Sequence, residues 1–407
     1  FRTNVWIGNN DGGLLWFTES DEFYFPKDND DLISITRDGE GNAELAVNMV
    51  NAPASGLPAE VRYEFGLMAT PVKPLPQGWR AFTFSAQYES FQGLNRGNQL
   101  IYWPDRWRAM MLDPEPHRAL NLDKNRAMVR DDVAHHRKII PYWTRLHYST
   151  RDGDKVNPDG TVLDKEWVAI PRRPGGGTHQ YDRASLTSPW QDYLVWCTTE
   201  WSKVFGGGID GVYMDETQPI PNSNPASGGG YDDVFTGKRR PTYESLASRN
   251  LIKRINYAIW QKTGDEAHSV AHCSATHTMP STGHYMAMLI GEHVYSGYFR
   301  NRNPEFLPPE NDRLYYYSYA LPMDRVRTEC YHRQWGAVML WLPCLKDQKD
   351  LMILPVPTRD MLSRIMQADM LVWPLFCNRE EVVKTWKFRE EFGIGAPGVE
   401  FIPYWEK

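Results

Sequence analysis

Two adjacent carboxylates, Asp215 and Glu216, end an apolar run that is entered through glycine and stopped by proline: Gly207-Gly208-Ile209-Asp210-Gly211-Val212-Tyr213-Met214-Asp215-Glu216-Thr217-Gln218-Pro219. The run reads as a short buried strand. Acidic pairs after strands are commonly no more than solvated turns, but the aromatic neighbours here favour chemistry. A strand that delivers two acids to its C-terminal tip suits cleavage of a glycosidic bond, where one acid protonates the leaving oxygen and another orients or stabilises the sugar. Side chains alternate along a strand, and adjacent residues rarely flank one bond at the roughly 5 Å that direct displacement needs. Glu216 is therefore the candidate acid/base, a role that would need its carboxyl pushed toward the protonated form by aromatic surroundings or by the Asp215 charge. The nucleophile is then either a distant carboxylate such as Glu292 or the substrate itself. A 2-acetamido sugar attacks its own anomeric carbon through the amide oxygen, and Asp215 would hold the amide N–H and stabilise the developing charge.

Other strand ends carry candidate substrate contacts. Tyr142 and Trp143 close one apolar run, and Tyr213 precedes the acidic pair. His272, Glu292 with His293, and Trp341 close three more. His272 is placed to bind a hydroxyl, and Trp143 and Trp341 to stack on sugar faces; ordinary core packing is the plainer account of each. The acidic loop Glu19-Ser20-Asp21-Glu22 is expected to be a solvated hairpin end. No His-Glu-x-x-His or comparable ligand set occurs, so neither a metal nor a cofactor is expected. The five cysteines are widely spaced and match no redox or metal motif.

These residues need elements to hold them. Residues 1–78 read as antiparallel strands separated by Asn/Asp/Gly turns, part of a β-sandwich that starts partway through. Pro71-Val72-Lys73-Pro74-Leu75-Pro76 is a stiff connector and the domain boundary. From residue 79 to 407 the texture changes to short apolar strands near 80–84, 138–143, 211–215, 267–272, 287–292, 337–342 and 369–374. Helical patterns lie between them at 124–137, 189–204, 242–263, 311–321 and 358–368; in the third, Leu246, Leu251, Ile255 and Ile259 recur near helical spacing. The expected fold is an α/β (β/α)8 TIM-like barrel preceded by part of a β-sandwich. A doubly wound sheet is the alternative, weakened because no Gly-x-Gly-x-x-Gly follows the first strand. The segments 84–135 and 144–190 resist parsing, and the second is long enough to be an active-site loop or an inserted excursion.

The chain has 407 residues, a formal net charge of -6 and 13% aromatic residues. That charge, with no basic run beyond Lys238-Arg239-Arg240, argues against a nucleic-acid partner. No apolar stretch reaches the roughly 18 residues of a membrane span. A carbohydrate substrate is the expected partner, and a homo-oligomer is left open. The chain begins with Phe1, which suggests a processed or truncated product; a secreted or periplasmic location is expected.

Three segments carry a resemblance. The Asp215-Glu216 pair resembles the Asp-Glu signature of family 20 and family 123 glycoside hydrolases. Gly12-Gly13-Leu14-Leu15-Trp16-Phe17-Thr18-Glu19-Ser20 and Phe65-Gly66-Leu67-Met68-Ala69-Thr70-Pro71-Val72-Lys73-Pro74-Leu75-Pro76 resemble segments of family 123 and its relatives, which place a β-sandwich before the barrel. The resemblance implies a retaining, exo-acting β-N-acetylhexosaminidase, of N-acetylgalactosaminidase type, with substrate-assisted catalysis. Asp215 would take the acetamido-orienting role and Glu216 the acid/base role. A glycosidase of non-acetamido sugars, with a carboxylate such as Glu292 as nucleophile or base, is the alternative. A non-catalytic carbohydrate-binding protein is the other.

Overall fold

A computed structural model describes residues 3–25, 32–51, 56–85, 98–102, 122–134, 138–144, 147–148, 165–170, 182–204, 209–272, 279–291, 314–315, 323–330, 332–343, 353–403 and 405. Antiparallel sheet comes first. Strands β1 (Asn4–Gly8), β2 (Gly13–Phe17) and β5 (Gly66–Thr70) form one sheet with β2 in the centre, and β3 (Ile33–Arg37) pairs with β4 (Ala43–Val47) as a hairpin. Asn9 makes the β1–β2 turn, its side-chain oxygen accepting from the N–H groups of Asp11 and Gly12 at 2.8 and 3.0 Å. Gly66 pairs with Phe17, whose ring lies across it; a Cβ there would come within 2.1 Å of the ring, so only glycine fits.

The remaining chain builds one eight-stranded parallel sheet. Its strands are β6 (Thr83–Ser85), β7 (Asn98–Tyr102) and β8 (Lys138–Thr144), then, beyond a loop excursion of β9 (His147–Tyr148), β10 (Val168–Ile170) and β11 (Asp182–Ala184), strand β12 (Tyr213–Asp215). Two small ribbons come next: β13 (Pro221–Asn222) with β16 (Thr242–Tyr243), and β14 (Tyr231–Asp232) with β15 (Arg239–Arg240). The sheet resumes with β17 (Val270–His272), β18 (Ala287–Ile290), β19 (Val338–Trp341) and β20 (Leu371–Val372). Its spatial order is its chain order, and every neighbour is parallel. That is the (β/α)8 arrangement, and it excludes the doubly wound alternative, in which strand order reverses. Every residue of β18 and β19 is buried, as expected for parallel strands covered on both faces.

The ends of the sheet meet. Phe84 on β6 stacks on Trp373, just after β20, at 6.2 Å, and Arg80 makes two hydrogen bonds to Asp369, the first at 2.8 Å. Helices alternate with the strands: α1 (Leu122–Ala134), α2 (Trp190–Val204), α3 (Ser245–Thr263), α4 (Met323–Glu329), α5 (His332–Trp335), α6 (Pro355–Gln367) and α7 (Arg379–Glu391). In α3 the buried stripe is Leu251, Ile252, Ile255 and Ile259; Leu246, expected on it, is exposed. The sequence reading missed β7, which has few local signals, the short helices α4 and α5, and α7, which is polar outside a few positions. Of the helix expected at 311–321, only residues 314–315 are described.

The antiparallel sheet is fastened to the barrel by buried polar groups. Gln334 on α5 is fully buried; it receives the Thr70 hydroxyl at 2.7 Å and donates to the carbonyls of Asn9 and Asn10 at 3.2 and 2.8 Å. Glu19 accepts from the Leu246 N–H at the start of α3 at 2.7 Å, and Asp21 accepts from the Tyr231 hydroxyl at 2.6 Å. The acidic loop is thus a latch between the two regions, which corrects the expectation of a solvated hairpin end.

The Arg80–Asp369 seam makes a stability prediction. Asp369 is 7% exposed, so Arg80→Ala strands a buried charge and lowers the unfolding free energy in urea by about 3 kcal/mol. Arg62→Ala, from the solvent-exposed pair with Glu64, changes it by less than about 0.5 kcal/mol. Equal effects would show that the seam pair does not hold the sheet ends together.

Candidate active site

Strand β12 lies between β8 and β17, and its approach is tight. A Cβ on Gly211 would meet the His268 backbone at 2.5 Å, so glycine lets the two segments come together. Register then decides which side chains meet. Tyr213 pairs with Tyr142 and with Val270, and Asp215 with Thr144. Paired residues of neighbouring strands share a face, so Tyr142, Tyr213, Asp215 and His272 all point one way. That way is inward: the Tyr213 ring lies 5.6 Å from Trp373, and β12 and β20 are separated by three intervening strands, so the two rings meet only across the barrel interior.

Three donors converge on Asp215. The Tyr142 hydroxyl donates to Oδ2, His272 Nδ1 lies 3.0 Å from Oδ1, and the Glu216 N–H donates to Oδ1 at 2.7 Å. The Tyr213 hydroxyl is 2.8 Å from the same His272 Nδ1. A carboxylate at that distance requires the proton on Nδ1, so the Tyr213 oxygen acts as a second acceptor there. Burial opposes ionisation of Asp215. The His272 charge and hydrogen bond, the Tyr142 hydroxyl and the Glu216 N–H together outweigh it and hold the carboxyl down at about 2. Asp215 is therefore an anion at any working pH. Tyr142 stacks on Tyr213 at 5.0 Å, which fixes the ring that supplies the first donor.

Glu216 leaves the strand in a left-handed conformation, with φ 53°, which costs a non-glycine residue about 1–3 kcal/mol. The turn is over-determined on both sides. The Glu216 N–H closes on Asp215, and Thr217 sends its N–H and its hydroxyl to the His272 carbonyl at 3.1 and 3.0 Å. This bend answers the alternation problem: the acids are adjacent, yet Asp215 faces the barrel axis while Glu216 is carried sideways over the rim. There its carboxylate lies 3.6 Å from the Arg183 guanidinium on β11, with both side chains partly exposed. The segment immediately C-terminal to Arg183 is braced from below. The buried Glu244 carboxylate accepts from the Ser185 hydroxyl, the Leu186 N–H and the Asn222 amide, each at 2.6 Å.

The structure thus gathers Asp215, Glu216, Tyr142, Tyr213 and His272 at the C-terminal mouth of the barrel. It does not bring Trp143 and Trp341 there. Trp143 sits beside Met214, one position out of phase with Tyr142 and Asp215, and Trp341 is likewise out of phase with His272 through the β17–β18–β19 register. Both are 1% exposed on the outer face of the sheet, so they are core rather than sugar-stacking walls. Glu292 and His293 lie outside the described residues. Among the described residues no group of three or more His, Cys, Asp or Glu side chains could hold a metal ion. The sequence reading missed Arg183 and Trp373. Trp373 had a signal, its place at the end of an apolar run; Arg183, inside the unparsed 144–190 segment, had none.

The depressed Asp215 carboxyl ties stability to pH. Its contribution is fully present above the unfolded value of 3.8 and is lost as pH falls through about 2. Between pH 6 and pH 2.5 the native chain should lose about 1.5 kcal/mol more unfolding free energy than Asp215→Asn. Parallel pH profiles for the two would show that the three donors do not stabilise an anion.

No protein-family model matches the chain, and no curated protein is similar to it in sequence. Solved structures that resemble it include α-L-fucosidase isoenzyme 2 from Paenibacillus thiaminolyticus, at 12% identity and TM-score 0.43 over 80% of this chain and 46% of that one. A cycloisomaltooligosaccharide glucanotransferase from Paenibacillus sp. is similar at 10% identity and TM-score 0.39, over 82% of this chain and 50% of that one. The glycoside hydrolase domain of PelA from Pseudomonas aeruginosa is similar at 11% identity and TM-score 0.34, over 73% of this chain and 94% of that one. This chain spans about half the length of the first two.

Proposed function

We propose that this chain is a glycoside hydrolase whose reaction centres on Asp215, and that it cleaves a terminal 2-acetamido-β-hexoside with retention of configuration. The observation that carries the reading is an anionic carboxylate, held at about 2 by donors from two neighbouring strands, with a second carboxylate turned out beside it at a barrel mouth. Oδ2 takes the Tyr142 hydroxyl and keeps a lone pair for the substrate amide N–H. The amide oxygen then attacks the anomeric carbon, the bond to the leaving oxygen breaks, and Glu216 gives that oxygen its proton. Asp215 stabilises the positive charge of the cyclised sugar. Water, deprotonated by Glu216, reopens the ring and restores the configuration. Glu216 must hold a proton for the first step, and Arg183 at 3.6 Å favours its carboxylate. An aglycone seated between the two would remove that charge from contact and leave the carboxyl in drier surroundings.

A second reading rests on the same anion. Asp215 faces inward and is ionised, the state a direct nucleophile needs, and the acid would come from another strand end such as Glu292, which lies just past β18 in sequence. Glu216 would then stay paired with Arg183.

Paired aryl glycosides separate the readings. Under the first, 2-acetamido substrates turn over and their 2-hydroxy counterparts do not, a thiazoline inhibits tightly, and Asp215→Asn slows kcat by about a thousandfold or more. Glu216→Gln slows substrates with poor leaving groups by about 10²–10⁴ and aryl substrates with good ones far less. Turnover of plain hexosides, with covalent trapping of Asp215 by a 2-fluoro glycoside, would replace the first reading with the second. Saccharide binding without turnover of either class would end both.

A further inference from the structure

A cavity of 570 Å³ lies where the antiparallel sheet meets the barrel, and it shares no lining residue with the Asp215 cluster. Its walls come from the loop after β2, the segment leading into β5 and the approach to α3. Phe23, Tyr24, Tyr63, Phe65 and Tyr243 give it aromatic faces, and Tyr24 and Tyr63 pack against each other at 5.7 Å. Its volume falls in the range that small-molecule sites occupy.

The charge lining it is one-sided. Glu19, Glu22, Glu64 and Glu244 face Arg62, the one cation among its described lining residues. Arg62 and Glu64 are 87% and 73% exposed and 3.8 Å apart, so both charges are spent largely in solvent. Glu244 is satisfied by Ser185, Leu186 and Asn222. Glu19 and Glu22 are left to set the potential inside. The strain shows on Glu19: burial, with the Glu244 and Glu64 charges acting the same way, pushes it up to about 7 against the Leu246 and Ser245 N–H groups.

We propose that this cavity binds a small organic ammonium ion, its cationic head against Glu19 and Glu22 and its apolar body against the Tyr24 and Tyr63 rings. Aromatic faces and carboxylates together select such a cation over a neutral ligand of equal shape, which gains no charge interaction, and over an anion, which is repelled. The site is distinct from the glycosidic chemistry and does not depend on it.

Choline is the probe, because its charge does not change with pH, and 3,3-dimethylbutanol is its neutral isostere. Calorimetric titration of the full chain should give choline about tenfold higher affinity than the isostere. Raising pH from 6 to 8 ionises Glu19 and should strengthen choline binding by up to about tenfold, with proton release near pH 7. The other groups facing Glu19 are Glu22 and Tyr24 on its own loop, Arg62, Tyr63 and Glu64 before β5, and Tyr243 and Glu244 before α3. Glu19→Gln keeps an acceptor for the Leu246 N–H and should abolish the pH dependence. Glu22→Gln should weaken choline about fivefold or more with Tm held, and Tyr63→Ala, which also gives up a hydrogen bond to the Phe23 carbonyl, should weaken it likewise with a fall in Tm. Equal affinity for the isostere, no saturation by choline, or unchanged binding in Glu22→Gln and Tyr63→Ala would each overturn the proposal.

Discussion

A carboxylate drawn into a barrel mouth stays ionised only where donors replace the water it loses, and the strand ends around Asp215 are arranged by that requirement. Tyr142 comes from β8, His272 from β17, and the third donor is the next N–H of the chain itself. Each donor constrains an element. A one-residue slip of β8 would turn Tyr142 to the outer face and bring Trp143, whose indole has no phenolic hydroxyl to offer, into its place. The left-handed Glu216 belongs to the same constraint, because that bend lets its N–H close on Asp215 while Thr217 reaches the His272 carbonyl. The hydrogen bonds that the bend permits therefore offset both its strain and the burial of the carboxylate.

The antiparallel sheet is more than an appendage. Gln334, Glu19 and Asp21 tie it to α5, to the start of α3 and to the ribbon at Tyr231. Glu244, at the same start of α3, braces the segment after Arg183, and Arg183 faces Glu216. The sheet interface and the rim of the barrel mouth thus share one helix N-terminus. In the segment from Gly12 to Ser20, which carries part of the family resemblance, Glu19 does this fastening, while the Thr18 hydroxyl donates to the Glu64 carbonyl at 2.8 Å within the antiparallel region itself.

Much of the fold was legible because burial leaves a local imprint. Strands covered on both faces must be apolar throughout, as Ala287–Ile290 and Val338–Trp341 are, and a helix packed on one side must repeat its apolar residues, as Leu251, Ile255 and Ile259 do. Strand β7 lacks that imprint: Asn98 and Gln99 open it, and its place is secured by pairing with β6 and β8 rather than by its own composition.

By itself the sequence determined the layered order, the acidic pair at a strand tip and the aromatic and histidine residues at neighbouring tips. These are properties of spacing and residue type, which physical chemistry reads along the chain. Tertiary structure alone decided which of them meet. Tyr142 and Trp143 are adjacent and equally aromatic, yet strand phase sends one to Asp215 and buries the other outside the sheet. Arg183 reaches Glu216, and Trp373 reaches Tyr213, across separations in sequence that no local pattern encodes. Register and barrel closure set those contacts, because a side chain's face depends on how its strand pairs, and the pairing is a property of the whole sheet.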